Sequence, residues 1–149
     1  MKLLRLESPL KATRPAKIIV SGRQVQAESV IRVLTQAGFT IQLARNGTEI
    51  LTSATENVDA VVLDINLPDV NGLEVCRRLK ADARTAHIAV VFLSSLYGIA
   101  EGAMIASHLG AVAYLTKPVE ARDLVNVINL AISKNDLQVQ RSSRAAQSA

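Results

Sequence analysis

From residue 17 onward, short apolar runs rich in β-branched residues alternate with segments whose apolar residues recur at helical spacing. This alternation is typical of successive βα units, which build a parallel sheet. Each short run is bounded by polar or turn-forming residues, so each one predicts a separate strand. The predicted strands are Ile18–Ser21, Thr40–Ala44, Ala60–Asp64, Ile88–Ser94 and Ala113–Thr116.

Five helices are predicted between and after these strands. The first ends at Gly38, which can adopt the left-handed conformation of a helix stop. The fourth, from about Ile99 to His108, is weakened by Gly102. The fifth has the clearest apolar face, formed by Leu124, Val127, Ile128 and Ala131. Five strands joined by right-handed crossovers predict a doubly wound, three-layer α/β domain.

The predicted domain covers residues 17–134. Residues 1–16 contain two prolines and no strand pattern, so they are expected to form a loose N-terminal extension. Residues 135–149 are rich in Ser, Ala, Gln and Arg and are expected either to prolong the last helix or to be disordered. No internal repeat and no second domain are evident.

Composition narrows the class of protein. At 149 residues and 49% apolar content, the chain can form one globular core, and no apolar run approaches the ~20 residues that span a bilayer. A single cysteine, Cys76, and the lack of a signal peptide lead us to expect a cytoplasmic protein without membrane association. The net charge of +4 suggests nucleic acid as a partner, but 3% aromatic content and basic residues concentrated near the ends argue against it.

Three polar residues follow three different predicted strands. Asp64, Ser94 and Lys117 each lie at the carboxyl end of a strand. In open parallel sheets, ligands bind at that edge. The fold therefore predicts that a carboxylate, a hydroxyl and an ammonium group meet in one pocket. Asp64 alone would suit an ordinary turn, whereas the combination of three points to a functional site.

These motifs resemble the receiver domain of two-component response regulators. The resemblance rests on the loop that Asp64 opens, on Ser94 after an apolar run, and on Lys117-Pro118 after Tyr114-Leu115-Thr116. It implies a flavodoxin-like (βα)5 fold with strand order 2-1-3-4-5. It also implies that Asp64 is the phosphoacceptor, that Ser94 binds phosphoryl oxygens and that Lys117 neutralises their charge. Tyr114 would be a rotating aromatic switch, and Pro118 would follow a cis peptide bond.

The chain departs from the family at one required position. Receiver domains carry an acidic pair after the first strand that holds Mg²⁺, and this chain has Ser21-Gly22-Arg23 there. A metal ion would keep only Asp64 and the backbone carbonyl of Asn66, so Mg²⁺ binding is expected to be weak or absent, with no other cofactor. Lys117 and Arg23, the candidate metal-replacing cation, are expected to lie within ion-pair reach of Asp64 and to offset the negative charge of Asp64 and Asp69.

These observations predict a non-enzymatic signalling module that works by protein–protein interaction with a histidine kinase or an output protein. One alternative is a phosphorylation-competent response regulator that is modified at Asp64. A more remote alternative is a flavodoxin-like protein that binds a nucleotide or flavin at the Ser21-Gly22 turn. A homodimer through helix 4, strand 5 and helix 5 is also expected from the small or apolar residues Ala100, Ala103, Ala106, Ala113, Val125 and Ile132.

Overall fold

A computed structural model describes residues 14–94 and 99–133. The described chain forms five strands and five helices in strict alternation. The strands are β1 (Lys17–Ser21), β2 (Thr40–Ala44), β3 (Ala60–Leu63), β4 (Ala89–Ser94) and β5 (Ala113–Thr116). The helices are α1 (Gln24–Gln36), α2 (Gly47–Ser53), α3 (Gly72–Ala81), α4 (Ile99–His108) and α5 (121–133).

All strand pairs are parallel, and the strand order is β2-β1-β3-β4-β5. This confirms the predicted fold class and order. Strands β3 and β4 are buried along their whole lengths because helices cover both faces of the sheet. Alternate residues of each strand therefore enter two different cores.

The two cores place the helices in layers. One core joins residues of β1, β3 and β4 to α2, α3 and α4, with Phe92 as its largest buried side chain. The other joins the alternate residues of the same strands to α1 and α5 through Leu34, Leu124 and Ile128. The described part of the chain contains no helix long and apolar enough to cross a membrane.

The predicted boundaries hold to within one residue at most strands. The third strand ends at Leu63 instead of Asp64, and α1 is followed by Gly38 at a φ of +98°, as expected for a helix stop. Of the predicted loose extension, residues 14–16 are attached to the domain: Arg14 pairs with Asp59 at 2.9 Å, and the carbonyl of Ala16 accepts from Thr40 N–H. Residues 1–13 and 134–149 lie outside the described chain.

The residues proposed for the homodimer face need correction. Ile132 is only 7% exposed and Ala106 only 1%, because both pack into the cores of the single domain. Val125 packs partly against the same core as Ile132, and the side chain of Ala100 is outside the described set. The apolar side chains that α4 leaves exposed are instead Met104 and Ile105, at 66% and 47%.

Ile132→Glu should lower the free energy of unfolding by roughly 3–5 kcal/mol, because it places an unpaired charge in the core. The matched control is Leu130→Glu on the same helix, where the side chain is 65% exposed; its effect should stay within about 0.5 kcal/mol. Urea denaturation followed by circular dichroism measures both. Equal effects of the two substitutions would contradict the assigned faces of α5.

Candidate functional site

The site lies at the carboxyl edge of the sheet. Asp64 directly follows β3, Ser94 is the last residue of β4, and Lys117 directly follows β5. The parallel register pairs Ser94 with Thr116, and Lys117 N–H donates to the carbonyl of Ser94 at 2.9 Å. Pairing of the strands therefore fixes these three residues at one edge, as the sequence predicts.

Asp64 is held by contacts on three sides. Its Oδ2 lies 3.4 Å from Lys117 Nζ, and its Oδ1 accepts the N–H of Asn66 at 3.0 Å. Its own N–H donates to the hydroxyl of Ser21 at 2.9 Å. The side chains of Asp64 and Lys117 are 21% and 34% exposed, so water screens the ion pair and its net contribution to stability is at most about 1 kcal/mol.

The start of α3 packs directly against the Asp64 backbone. Gly72 N–H donates to the carbonyl of Ile65 at 2.7 Å, and a Cβ at Gly72 would lie only 2.1 Å from the carbonyl oxygen of Asp64. Only glycine permits this approach. The side chain of Asn71 accepts from Leu73 N–H and caps the helix. Glycine at position 72 thus allows α3 to support the loop that presents Asp64.

Ser94 is the last residue of β4, and Tyr114 is the second residue of β5. The Ser94 side chain is 1% exposed. Tyr114 packs partly buried beside Phe92, with ring centroids 6.1 Å apart. A Cβ at Gly102 would lie 2.6 Å from the Tyr114 hydroxyl, so this glycine of α4 makes room for the ring. The Lys117–Pro118 peptide bond is cis.

A pocket of about 660 Å³ opens above Asp64. Its lining residues are Gly22, Arg23, Arg45, Asp64, Asn66, Leu67, Pro68 and Lys117. Arg23 is exposed at the pocket rim and forms no ion pair with Asp64 in the described chain, so the expected direct pairing of Arg23 is wrong. Lys117 is the ion-pair partner of Asp64.

The carboxylate of Asp69 is bonded to the start of α2, and Asp69 is not among the described residues that line the pocket. Its carboxylate accepts the Thr48 hydroxyl at 2.7 Å, Gly47 N–H at 2.7 Å and Thr48 N–H at 3.0 Å. These bonds tie the loop after Asp64 to the start of α2. They hold the pKa of Asp69 below its usual value, with the hydroxyl bond as the largest cause.

The donor set at the site does not match a Mg²⁺ ion, which prefers several oxygen ligands in octahedral geometry. Within the described part of the chain, Asp64 is the single carboxylate that lines the pocket, and two arginines line it as well. Nowhere in residues 14–94 and 99–133 do three His, Cys, Asp or Glu side chains gather as potential metal ligands. The hydroxyl of Ser21 already accepts a backbone N–H.

The single cysteine of the chain is a core residue. Cys76 is fully buried on α3, and burial raises the pKa of its thiol to about 11. The thiol therefore stays protonated at neutral pH and supplies no nucleophile to the site.

The family model for the response regulator receiver domain matches residues 18–129. The chain belongs to this family. Response regulators are signalling proteins of two-component systems, and the sequence resemblance is thereby confirmed. The match includes all five strands except the first residue of β1, together with the loops that carry Asp64, Ser94 and Lys117.

Individual relatives agree with this assignment. The chain is 34% identical over 135 residues to the alkaline phosphatase synthesis transcriptional regulatory protein SphR of Synechococcus elongatus, covering 84% of this chain and 51% of the relative. It is 31% identical over 123 residues to the DNA-binding dual master transcriptional regulator RpaA of Synechocystis, covering 82% and 51%. The chain thus spans about half the length of these relatives.

Solved structures give the same result for the fold. A response regulator receiver domain protein from Clostridium thermocellum is 31% identical, with a TM-score of 0.74 over 83% of this chain and 98% of that one. The BeF3-activated receiver domain of DrrB is 27% identical, with a TM-score of 0.71 over 80% of this chain and 98% of that one.

Two features of the site were missed in the sequence. Arg45 directly follows β2, so its position at the carboxyl edge could have been predicted by the argument used for Lys117. The hydrogen bond from Asp64 N–H to Ser21 joins the carboxyl ends of the paired strands β1 and β3, and it depends on their exact register.

Gly72→Ala should destabilise the domain by about 1–3 kcal/mol, since the methyl group must push α3 away from the Asp64 carbonyl. It should also move the amide NMR resonances of Ile65 and Asn66. Gly38→Ala is the control, because it meets no atom within 4 Å and only strains the local backbone. Unmoved resonances in Gly72→Ala would show that this contact does not position the loop.

Proposed function

We propose that this receiver domain is a metal-poor signalling module that acts by protein–protein interaction, with little or no Mg²⁺-dependent phosphorylation at Asp64. The observation that carries the proposal is the pocket itself. Its one lining carboxylate is paired with Lys117, and its other charged lining residues, Arg23 and Arg45, are basic. This is a poor environment for a divalent cation.

The chemistry of phosphorylation supports this proposal. Transfer of a phosphoryl group to Asp64 would bring several negative oxygens together, and a bound cation normally offsets their repulsion. Lys117 can offset part of it. Loss of one charge-stabilising group commonly raises a reaction barrier by ~2.7–4 kcal/mol, which corresponds to a hundredfold or more in rate. Transfer to Asp64 should therefore be slow.

Lys117 would hold the Asp64 carboxylate in its resting state, and Ser94 and Tyr114 would keep the structural positions that the family uses for its switch. In this proposal they do not respond to a phosphoryl group. Signalling then depends on the concentration of the domain or of its partner. The alternative of a phosphorylation-competent regulator requires that Asp64 react despite its poor cation site.

The remote alternative of a flavin- or nucleotide-binding protein has less support. Among the residues of the described chain that line the pocket there is no aromatic side chain that could stack on a flavin or base. The family assignment also accounts for Asp64, Ser94 and Lys117 together, which this alternative leaves unexplained.

The partner is proposed to be a histidine kinase or an output protein in the cytoplasm. SphR and RpaA are named as transcriptional regulators and are about twice as long as the matched segment. We assign protein recognition, not nucleic-acid or membrane binding, to the present segment. A homodimer through α4, β5 and α5 remains a proposal, with the exposed Met104 and Ile105 as its contact residues.

Incubation with acetyl phosphate and MgCl₂ should leave the intact mass of the protein essentially unchanged, because the pocket does not stabilise the incoming charge. Mass spectrometry measures this directly. Asp64→Asn is the control that separates modification at Asp64 from modification elsewhere. A stoichiometric gain of one phosphoryl group that disappears in Asp64→Asn would favour the phosphorylation-competent alternative, as would a saturable Mg²⁺ isotherm in the low millimolar range.

Ile105→Glu should shift the sedimentation profile from dimer towards monomer without unfolding the domain, because this apolar side chain is 47% exposed. Thr35→Glu on the exposed part of α1 is the matched control and should leave the profile unchanged. If the unsubstituted protein sediments as a monomer, the homodimer proposal is wrong.

A further inference from the structure

We propose that the pocket above Asp64 binds a small phosphate-bearing anion directly, without a metal ion, and that Arg23, Arg45 and Lys117 hold it. The ligand class is inorganic phosphate or a small phosphate monoester. This inference rests on the proposed function, because it assumes that the site binds a phosphate-bearing anion instead of a divalent cation. It adds a non-covalent ligand as the regulator of that site.

The charge of the pocket supports an anion. Of the described residues, three basic side chains and one carboxylate line it, so the net charge of this lining is positive. The nearby acid Asp69 is directed to the start of α2 by its bonds with Thr48 and Gly47. Glu49 offsets Arg45 only in part, since their closest charged atoms are 4.0 Å apart and both side chains are well exposed.

The chemistry of the lining favours phosphate over other anions. A guanidinium group can donate two parallel hydrogen bonds to phosphate oxygens, and an ammonium group adds a compact positive charge. Arg23 precedes α1, where no side-chain cap is bonded and no acidic residue occupies the first turn, so nothing there competes for an anion. This helix end adds to the positive field that the side chains create.

The size and polarity of the pocket limit the ligand to a small one. A volume of about 660 Å³ accommodates a small metabolite. Leu67 and Pro68 are the larger apolar side chains in the lining, and none of the lining residues in 14–94 and 99–133 has an aromatic ring to stack on a base. The recognised part of the ligand is therefore its phosphate group.

The ion pair between Lys117 and Asp64 should oppose phosphate binding. A phosphate dianion must compete with the Asp64 carboxylate for the Lys117 ammonium group, which lies 3.4 Å from it. Asp64→Asn removes the repulsion and releases Lys117, so it should strengthen phosphate binding. The same substitution would weaken any Mg²⁺ site at this position, because it removes the carboxylate ligand. Phosphate binding and Mg²⁺ binding at this pocket thus predict opposite effects of Asp64→Asn on affinity.

The test is calorimetric and ³¹P NMR titration with inorganic phosphate and with glycerol 3-phosphate, at constant ionic strength and with EDTA present. We expect saturable binding that chloride does not reproduce. Arg23→Gln and Arg45→Gln should each weaken it roughly 10-fold or more, the usual effect of losing a charged hydrogen bond. Arg32→Gln, an equal charge change on the exposed side of α1 and away from the pocket lining, should leave it unchanged.

Three results would overturn the proposal: no saturable binding, binding that survives both pocket substitutions, or an equal loss in Arg32→Gln. The mass measurement with acetyl phosphate is independent of these results. Phosphate binding in EDTA together with Asp64 phosphorylation in Mg²⁺ would reject the proposed function and keep the anion site. An unchanged mass without phosphate binding would reject the anion site and keep the proposed function.

Discussion

Parallel strand pairing is the constraint on which the rest of the site depends. Because β3, β4 and β5 run in the same direction and in fixed register, their carboxyl ends meet at one edge. Ser94 lies 30 residues and Lys117 lies 53 residues after Asp64 along the chain, yet the sheet brings all three to its carboxyl edge. Local structure then only has to orient the side chains. Gly72 and Ser21 do this by contacting the Asp64 backbone directly.

The electrostatic balance of this edge differs from what its family resemblance implies. Receiver domains hold a cation with carboxylates from the loop after the first strand. Here that loop supplies a hydroxyl at Ser21 that is bonded to Asp64 N–H, and it supplies the guanidinium of Arg23 at the rim. The fold keeps Asp64, Ser94 and Lys117 at one edge of the sheet, while a basic residue follows β1 where the family has an acidic pair. A scaffold stabilised by two apolar cores permits such exchange, because residues at the strand ends contribute little to those cores.

The errors of the sequence interpretation have a common physical cause. Helical spacing predicts that Ile132 lies near one side of α5, but it does not say how far the core extends around the helix, and Ile132 proved to be inside it. The charge of Asp69 was placed correctly in the loop, but its direction depends on the amide and hydroxyl donors at the start of α2. The expected pairing of Arg23 with Asp64 failed because a long exposed side chain has many positions open to it.

The sequence by itself determined the fold class, the strand order through family resemblance, and the three residues at the carboxyl edge of the sheet. The fold class and the three residues follow from periodicity and from strand ends, which are local properties of the chain, whereas the strand order follows from the resemblance. Only the tertiary structure decided which cation pairs with Asp64, that Arg45 enters the pocket, and that Gly72 must lack a side chain. Those features depend on distances between segments that are remote in the sequence, and a few ångströms of approach determine whether two groups bond, repel or exclude each other.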